Sequence, residues 1–433
     1  MMLRDKRVLV LGMGRVGKSV LKYLLKSQAQ VYGYDEKIRE GKVRIFHSPE
    51  EIEGDIDLVI ASPGFDEDSK IIRELRKKGV RIVDEIEFTS WFIKAPIVAV
   101  TGTNGKSTTT ALLGEILKRD GRRVFVGGNI APGLPFSSSL LLECQDIYVI
   151  EVSTFQLERC ETLRPKIGIL LNISPDHLNR HKDFSHYISL KFSLFSNQRA
   201  EDYAVVNVDD KIIGEHLSSI KSQIVPFSLK KRVDGAYISH NCIYFRDEMV
   251  CSVDRVRLPG EHNLANVLAC VGASKLLKID SEIIGRALEE FEGLPHRLER
   301  VRIERGVEYI NNSMCTNPAS AIASLRAFKR PVILIAGGKE KGLPLNGLIK
   351  EIKRRVKRTI LIGSNREGLK QRLVKEGYKE VETAQSLKEA VIKAKGYARE
   401  GDVVLFSPGF ASFDDFRDFQ ERGEAFRNAV RDL

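Results

Sequence analysis

VAVTGTNGKST, residues 98–108, predicts a buried strand that runs into a glycine-rich loop and then into a helix. Backbone N–H groups at such a helix N-terminus can cradle phosphates. Lys106 would neutralise the β- and γ-phosphates and Ser107 would hold Mg²⁺, although Val100 stands where the common G-x-x-x-x-G-K-[ST] pattern has its first glycine. An accidental match directly after a strand is rare, so this stretch predicts a nucleotide-binding α/β domain.

Short apolar runs alternate with helical periodicity on both sides of this stretch, which is typical of parallel sheets covered by helices. Lys94-Ala95-Pro96 and Gly293-Leu294-Pro295 interrupt the alternation and predict two domain boundaries. We therefore expect three consecutive α/β domains, at residues 1–94, 95–296 and 297–433. The expected strands lie at 7–12, 29–35, 57–61, 80–83, 97–101, 123–126, 147–152, 167–172, 331–336, 359–363 and 402–406.

A second glycine motif, Gly12-Met13-Gly14-Arg15-Val16-Gly17, follows the first expected strand and opens a helix. Asp35 ends the next strand, 21 residues after Gly14. This context fits a dinucleotide site, in which small residues admit a phosphate and the acid takes a ribose hydroxyl. NAD, another nucleotide diphosphate such as a UDP-sugar, and a purely structural turn all remain open on these residues alone.

Three polar residues beyond the phosphate loop follow or lie near strand ends: Glu151, His177 and Lys191. Strand C-termini of an open parallel sheet gather at the edge where the phosphate loop lies. A carboxylate and an imidazole at this edge would be partners for Mg²⁺, which prefers oxygen ligands. The plainer interpretation makes Glu151 a helix cap and His177 an ordinary loop residue, and the neighbouring loop favours the metal site.

The composition is that of an ordinary globular protein, with 433 residues, 42% hydrophobic and 29% charged. Disorder, collagen-like repeats and disulfide scaffolds are therefore excluded, and six cysteines without metal spacing indicate a reducing cytosol. The net charge of +11 arises mostly in residues 297–433, which carry 28 basic and 18 acidic side chains. Much of that excess lies in Lys350–Arg358, where helical spacing predicts a solvated helix face.

The following motifs occur in order along the chain: GTNGKST (102–108), GGNI (127–130), EVSTFQLE (151–158), NISPDHLNRH (172–181), Lys191, GEHNLAN (260–266) and LPHRLE (294–299). Together they resemble the Mur ligase family, whose members add amino acids to a UDP-muramoyl precursor of peptidoglycan. The resemblance covers essentially the whole chain and implies an ATP-dependent, amide-bond-forming ligase. It also implies Rossmann-like N- and C-terminal domains around a central P-loop ATPase-like domain. The C-terminal stretch SPGFASFDDFRDFQERG (407–423) is similar to the branch that adds D-glutamate to UDP-N-acetylmuramoyl-L-alanine.

The resemblance implies roles for individual residues. ATP would be bound by Gly102, Thr103, Asn104, Gly105, Lys106, Ser107, Thr108, Asn263, Asn266, Arg297 and Asn312. Mg²⁺ would be held by Ser107, Glu151, His177 and Lys191, with Lys191 carbamylated by CO₂. Catalysis would rest on Lys106, Glu151, His177, Lys191, His296 and Arg297. The UDP-sugar would be held by Gly14, Arg15, Val16, Asp35, Ser62, Gly64, Asn129 and Ser153, and the amino acid by Thr316, Lys341, Ser412 and Phe419.

Two positions depart from the family pattern, because Asn312 stands in place of the usual acid and Met314 in place of the usual lysine.

Three rival functions are a folylpolyglutamate synthase-like ligase, an NAD-dependent oxidoreductase and a nucleic-acid-binding ATPase. The first lacks an N-terminal GxGxxG domain, the second leaves the phosphate loop unexplained, and the third rests on the basic domain alone. We expect a cytoplasmic monomer with ATP and Mg²⁺ as cofactors and with no nucleic-acid or membrane partner.

Overall fold

The computed structural model describes residues 3–52, 54–130, 133–176 and 180–433. Within these ranges the strands form three separate sheets, each with mostly parallel strands and helices between them. The chain divides into two compact units, Met1–Arg255 with Ala265–Glu289, and Val256–Leu264 with Glu290–Leu433. The first unit contains the first two sheets and the second unit contains the third.

The central strands of the first sheet are apolar runs that are buried on both faces, as expected for parallel strands, whereas the strand Gln30–Tyr34 is only partly buried. Its elements are β1 (Arg7–Leu11), α1 (Arg15–Leu24), β2 (Gln30–Tyr34), β3 (Ile45–Phe46), β4 (Leu58–Ala61), α2 (Lys70–Lys77), β5 (Arg81–Asp84) and α3 (Glu85–Ser90). The strand order is β3-β2-β1-β4-β5, with every pair parallel. The glycine motif therefore lies at the C-terminal end of the central strand.

The second sheet carries the phosphate loop. Its elements are β6 (Ile97–Thr101), α4 (Lys106–Arg119), β7 (Val124–Gly128), β8 (Ile147–Glu151), α5 (Thr154–Leu157), β9 (Ile167–Leu170), α6 (Phe184–Phe192), β10 (Tyr203–Asn207), α7 (Lys211–His216), β11 (Gln223–Ser228), β12 (Ala236–Ser239), β13 (Cys242–Phe245), β14 (Glu248–Ser252), α8 (Glu261–Leu276) and α9 (Ser281–Glu290). The order is β14-β13-β12-β11-β10-β9-β6-β8-β7, parallel from β7 to β12 and antiparallel from β12 to β14. The loops after β6, β8 and β9 consequently meet at one edge.

The third sheet belongs to the second unit. Its elements are β15 (Glu299–Glu304), β16 (Val307–Asn311), α10 (Pro318–Arg326), β17 (Val332–Gly337), α11 (Asn346–Arg355), β18 (Val356–Ile362), α12 (Arg366–Lys375), β19 (Val381–Thr383), α13 (Leu387–Tyr397), β20 (Val403–Phe406) and α14 (Phe419–Arg431). The order is β15-β16-β20-β17-β18-β19, and β15 pairs antiparallel with β16 while the remaining pairs are parallel.

One expectation about this third sheet is partly wrong. The basic stretch Lys350–Arg358 is helical only as far as Arg355, and residues 356–358 already belong to β18. Val356 is buried and pairs with Val332, so burial of a β-branched side chain ends the helix there.

The predicted fold class, three α/β domains with mostly parallel sheets, is confirmed. The exact domain boundaries at residues 94 and 296 stay predictions. No helix in the described ranges is both long and apolar enough to cross a membrane.

Candidate active site

The phosphate loop between β6 and α4 is held in place by Asn172, a residue to which the sequence motifs assign no role. The backbone N–H of Thr103 donates to the carbonyl of Asn172 (2.9 Å). The Asn172 side chain accepts from the Asn104 backbone N–H (2.8 Å) and donates to the Asn104 carbonyl (3.0 Å). Asn172 lies just after β9, at the same sheet edge, and that position is the signal by which the sequence could have revealed it. The loop is therefore clamped to the neighbouring strand.

Lys106 and Gly105 complete the loop at the start of α4. The Lys106 ammonium donates to the carbonyls of Gly102 and Thr103, both at 3.0 Å. Gly105 has a φ of 86°, a left-handed conformation that favours glycine, and an added Cβ would lie 2.2 Å from the Asn266 side-chain oxygen. The geometry thus requires glycine at residue 105 and brings Asn266, predicted from GEHNLAN, against the loop.

Glu151 lies at the C-terminal end of β8, as the sequence predicts, and it is 3% exposed. Its carboxylate accepts hydrogen bonds from the Ser107 hydroxyl and from the Asn129 side-chain amide, the latter at 2.9 Å. The structure therefore brings a predicted metal ligand together with a hydroxyl of the loop. His177 lies outside the described residues. Among those that are described, no group of three or more His, Cys, Asp or Glu side chains could hold a metal.

Lys191 lies in α6 with its side chain inside the protein, at 2% exposure. Its ammonium position is 4.5 Å from the centre of the Tyr187 ring, one turn earlier, and the Tyr187 hydroxyl is 3.0 Å from the Thr103 hydroxyl of the phosphate loop. Burial lowers the pKa of Lys191 well below its ordinary value, and the nearby Lys106 charge lowers it further, while Asp176 opposes the shift. Burial and the Lys106 charge thus shift the protonation equilibrium of Lys191 towards the uncharged amine.

The predicted UDP-sugar residues of the first domain surround the C-terminal ends of its strands. Gly14 and Arg15 open α1, followed by Val16, and an added Cβ at Gly14 or at Gly64 would meet nothing within 4 Å. The Ser62 hydroxyl donates to the Gly12 carbonyl (3.3 Å). Open space over these glycines leaves room for a ligand to approach the backbone.

Asp35 is engaged with the backbone around this turn. Its carboxylate accepts from the N–H groups of Met13, Lys37 and Ile38, each at 2.9 Å. Burial alone would raise the pKa of Asp35, but these backbone donors outweigh it and lower the pKa. Asp35 therefore fixes the glycine turn, whatever it does for a ligand.

Several hydrogen bonds join the first domain to the segment after β7, including those of Ser137 with Ser19 and Glu85. The Arg15 guanidinium donates to the Gly133 carbonyl (2.7 Å), and the Ser19 and Ser138 hydroxyls lie 2.9 Å apart. Ser153, the remaining predicted substrate residue of this unit, caps α5 in a reciprocal pair of hydrogen bonds with Gln156. The predicted UDP-sugar residues of both domains thus sit on segments held by specific hydrogen bonds.

The second unit contains Asn263, Arg297 and Asn312, which are predicted to contact nucleotide, and His296, which is predicted to be catalytic. Asn263 donates to the Pro259 carbonyl (2.8 Å). His296 is buried, and its ring nitrogen Nδ1 lies 3.0 Å from the Asn311 amide. Arg297 follows it and is partly buried. The Asn312 side chain accepts from the Leu298 N–H (3.2 Å) and donates to the Ser407 hydroxyl (3.1 Å), so this departure from the family pattern has a role in packing.

The predicted amino-acid residues fall into two neighbouring groups in this unit. Thr316 and Lys341 line one pocket together with Lys339. Lys339 forms a two-way backbone bridge with Ala411, which precedes the buried Ser412. Phe419 opens α14, and its carbonyl accepts from the Ser313 hydroxyl (2.8 Å).

The fold and the loop geometry define an α/β protein with a P-loop nucleotide site in its central domain. Family profiles agree with this class: the Mur ligase middle domain matches residues 100–274, the Mur ligase glutamate ligase domain matches 296–410, and an NAD(P)-binding profile matches 1–93. The chain belongs to the Mur ligase family. The resemblance inferred from the motifs is confirmed.

Named relatives extend over the full chain. It is 39% identical to the UDP-N-acetylmuramoylalanine--D-glutamate ligase of Caldanaerobacter subterraneus subsp. tengcongensis, with all of both chains covered. It is 40% identical to the ligase of the same name from Thermoanaerobacter sp., again over all of both chains.

Solved structures of the family share the fold. One is the UDP-N-acetylmuramate-alanine ligase of Thermotoga maritima, with a TM-score of 0.63 and 21% identity over 98% of this chain and 99% of that one. Another is the MurF ligase of Thermotoga maritima in complex with ADP, with a TM-score of 0.61 and 17% identity over 99% of this chain and 96% of that one.

Proposed function

We propose that this protein is an ATP-dependent ligase that joins D-glutamate to UDP-N-acetylmuramoyl-L-alanine during peptidoglycan synthesis. The observation that carries the proposal is the end-to-end match, at 39–40% identity, to relatives named for this reaction. The phosphate loop beside Glu151 supports it independently, because it provides a nucleotide site that the NAD-dependent alternative would leave without a use.

The chemistry follows from the poor electrophilicity of a carboxylate in water. An oxygen of the alanyl carboxylate attacks the γ-phosphorus of ATP, the bond to ADP breaks, and an acyl phosphate forms. The amine of D-glutamate then attacks the acyl carbon, phosphate leaves, and the amine loses a proton to give the amide. Positioning and charge neutralisation supply most of such catalysis, and Lys106 and Arg297 are the cations assigned to it.

The residues of the phosphate loop suit ATP. Lys106 donates to two loop carbonyls at 3.0 Å, contacts that a phosphate oxygen can replace. Gly105 is held against Asn266, which fixes the backbone at the N-terminus of α4 where phosphate binds. The loop is also clamped by Asn172, so little reorganisation is needed for binding.

The donor set also suits Mg²⁺. Ser107 and Glu151 offer a hydroxyl and a carboxylate in direct contact, and both are hard oxygen donors. Mg²⁺ usually takes few protein ligands and completes its shell with water and phosphate oxygens, so a sparse protein set fits it. Bound there, the ion would neutralise charge on the transferred phosphoryl group. His177 remains a predicted ligand.

Lys191 fits the proposed carbamate. Carbamylation requires an uncharged amine, whose nitrogen bonds to the carbon of CO₂ and then releases a proton. Burial favours that uncharged form, since it lowers the pKa of Lys191 well below its usual value. The resulting group carries oxygens and a negative charge, which suits a metal site better than an ammonium does.

The pocket in the second unit contributes two cations for the carboxylates of the amino acid, because Lys339 and Lys341 line it beside Thr316, with Glu340 as the acidic residue of the same lining. We also infer a cytoplasmic monomer without nucleic-acid or membrane partners. All six cysteines are free thiols, which agrees with a reducing compartment.

The test is phosphate release by the purified protein with ATP, Mg²⁺, UDP-N-acetylmuramoyl-L-alanine and a panel of amino acids. The proposal predicts release that depends on both the UDP substrate and D-glutamate, with L-glutamate as the matched control. Release that depends on L-glutamate and a folate instead would favour the folylpolyglutamate synthase-like alternative. If no amino acid of the panel, D-glutamate included, stimulates phosphate release, the assignment is overturned.

A further inference from the structure

Two arginines of the central domain meet on a single carbonyl oxygen of the first domain. The oxygen of Phe65 accepts from the guanidinium of Arg159 at 2.6 Å and from that of Arg180 at 2.8 Å. A carbonyl has two lone pairs, so these two donors use its full capacity. Phe65 ends the short segment after β4 that contains Ser62 and Gly64, both predicted to bind the UDP-sugar.

The two arginines differ in their surroundings. The side chain of Arg159 is fully buried, and its guanidinium lies 2.6 Å from the Glu67 carboxylate. The side chain of Arg180 is 16% exposed, and its guanidinium lies 3.9 Å from the Asp66 carboxylate. Arg159 therefore makes a buried contact between the domains. Replacing Arg180 is expected to disturb the packing less, because its side chain is partly exposed.

Arg180 also contacts α5, in addition to the segment after β4. Its guanidinium carbon lies 4.0 Å from the centre of the Phe155 ring, in α5. Phe155 lies two residues after Ser153 and four after Glu151, and Arg180 itself lies three residues after His177 in the chain. One side chain thus contacts both the segment predicted to hold the UDP-sugar and the helix that follows the predicted metal ligand Glu151.

We propose that Arg180 is a positioning residue that couples the Ser62–Phe65 segment to the catalytic edge of the central domain. Contacts made by the UDP-linked substrate on that segment then help to set the reacting carboxylate against the phosphate loop. This inference rests on the proposed function, because it assigns the UDP-sugar to Ser62 and Gly64. Arg180 acts through Phe65 and Phe155, without touching the substrate.

The test compares Arg180→Met with Lys182→Met, which removes one positive charge from an exposed position on the same stretch. Methionine keeps an apolar stem of similar length and removes the guanidinium. Loss of the charge-assisted hydrogen bond to Phe65 predicts a fall of about tenfold in kcat/KM for the UDP substrate. That fall includes a raised KM for the UDP substrate, whereas the KM for ATP stays within about twofold. Lys182→Met should match the wild type.

A structural role alone would give a different pattern, namely a lower thermal midpoint and fewer active molecules with all KM values unchanged. Arg159→Met is expected to lower the thermal midpoint more than Arg180→Met does, since it removes a fully buried guanidinium that bonds the Phe65 carbonyl and pairs with Glu67. Arg180→Lys keeps the charge and one donor without the planar fork, so it should recover part of the loss. If Arg180→Met fails to fold, Arg180→Lys takes its place in the test. The KM for the UDP substrate is again expected to rise, while the KM for ATP does not.

Wild-type constants in Arg180→Met, or equal rises in the KM for ATP and for the UDP substrate, would overturn the inference. A wild-type protein without D-glutamate-dependent phosphate release would instead overturn the proposed function. In that case the thermal shift given by UDP-N-acetylmuramoyl-L-alanine replaces the kinetic measurement. A smaller shift in Arg180→Met than in Lys182→Met is then the expected result, and equal shifts contradict it.

Discussion

Replacing Gly105 with alanine tests whether the phosphate loop needs the backbone and the packing that the structure gives it. Gly105 has a φ of 86°, and a Cβ there would lie 2.2 Å from the Asn266 side-chain oxygen. Gly121, at the other end of α4, has a φ of 80° with nothing within 4 Å of an added Cβ. The two positions therefore share the backbone strain and differ in the collision, so Gly121→Ala is a matched control.

The magnitudes separate the two variants. A left-handed backbone costs an alanine about 1–2 kcal/mol, so both variants should lose a few degrees of thermal midpoint at most. The backbone strain is common to both variants, and the collision with the buried Asn266 side chain is specific to Gly105→Ala. The collision displaces the buried Asn266 side chain and the loop beside it. A shift of about 1 Å in a catalytic loop can lower turnover about a hundredfold.

The assay is phosphate release at saturating substrates, with melting curves on the same preparations. Gly105→Ala is expected to lose about a hundredfold in kcat, while Gly121→Ala keeps the wild-type value. Equal kcat values in the two variants would refute the reasoning, because the fit of the loop against Asn266 would then be irrelevant to activity.

Three further changes test the other parts of the site. Lys106→Ala should abolish turnover and leave binding of the UDP substrate nearly intact, with the exposed Lys118→Ala as its control on the same helix; wild-type kcat would remove the loop from the ATP site. Arg15→Ala combined with Asp35→Ala should raise the KM for the UDP substrate and leave the KM for ATP unchanged, because the double change weakens only ground-state binding of the UDP substrate. A change in the KM for ATP alone would show that the two nucleotide sites are reversed. Lys191→Ala should lose most activity and regain part of it in acetate, which supplies a carboxylate, whereas acetate should not rescue Lys106→Ala. The carbamate would be excluded if Lys191→Ala were fully active, or if it were inactive and circular dichroism showed it to be unfolded.

Local sequence pattern is enough to predict the elements that build the site. The strand at residues 97–101 and the helix that follows the loop agree with the structure, because an apolar run followed by a glycine-rich loop admits few other folds. The pattern also places Glu151 correctly at a strand end, since parallel strands finish at one edge. No strand is predicted between residues 172 and 331, where the structure has β10 to β16.

Contacts between distant parts of the chain cannot be predicted in the same way. Asn172 is visible as a residue after a strand, yet its clamp on Asn104 depends on β6 and β9 being neighbours in the sheet. The meeting of Arg180 with Phe65 joins two domains and leaves no periodic signal. The prediction for the basic stretch up to Arg358 is wrong at its end because the spacing suits a helix, while burial of Val356 favours a strand.

The most direct measurement of the central claim follows a heavy-oxygen label placed in the alanyl carboxylate of UDP-N-acetylmuramoyl-L-alanine. The protein is incubated with ATP, Mg²⁺ and D-glutamate, and both products are analysed by mass spectrometry. The account predicts a UDP product heavier by one glutamyl residue and free phosphate that carries one labelled oxygen, because the carboxylate oxygen passes to phosphorus in the acyl phosphate. Unlabelled phosphate, or a UDP product without the glutamyl residue, would contradict it.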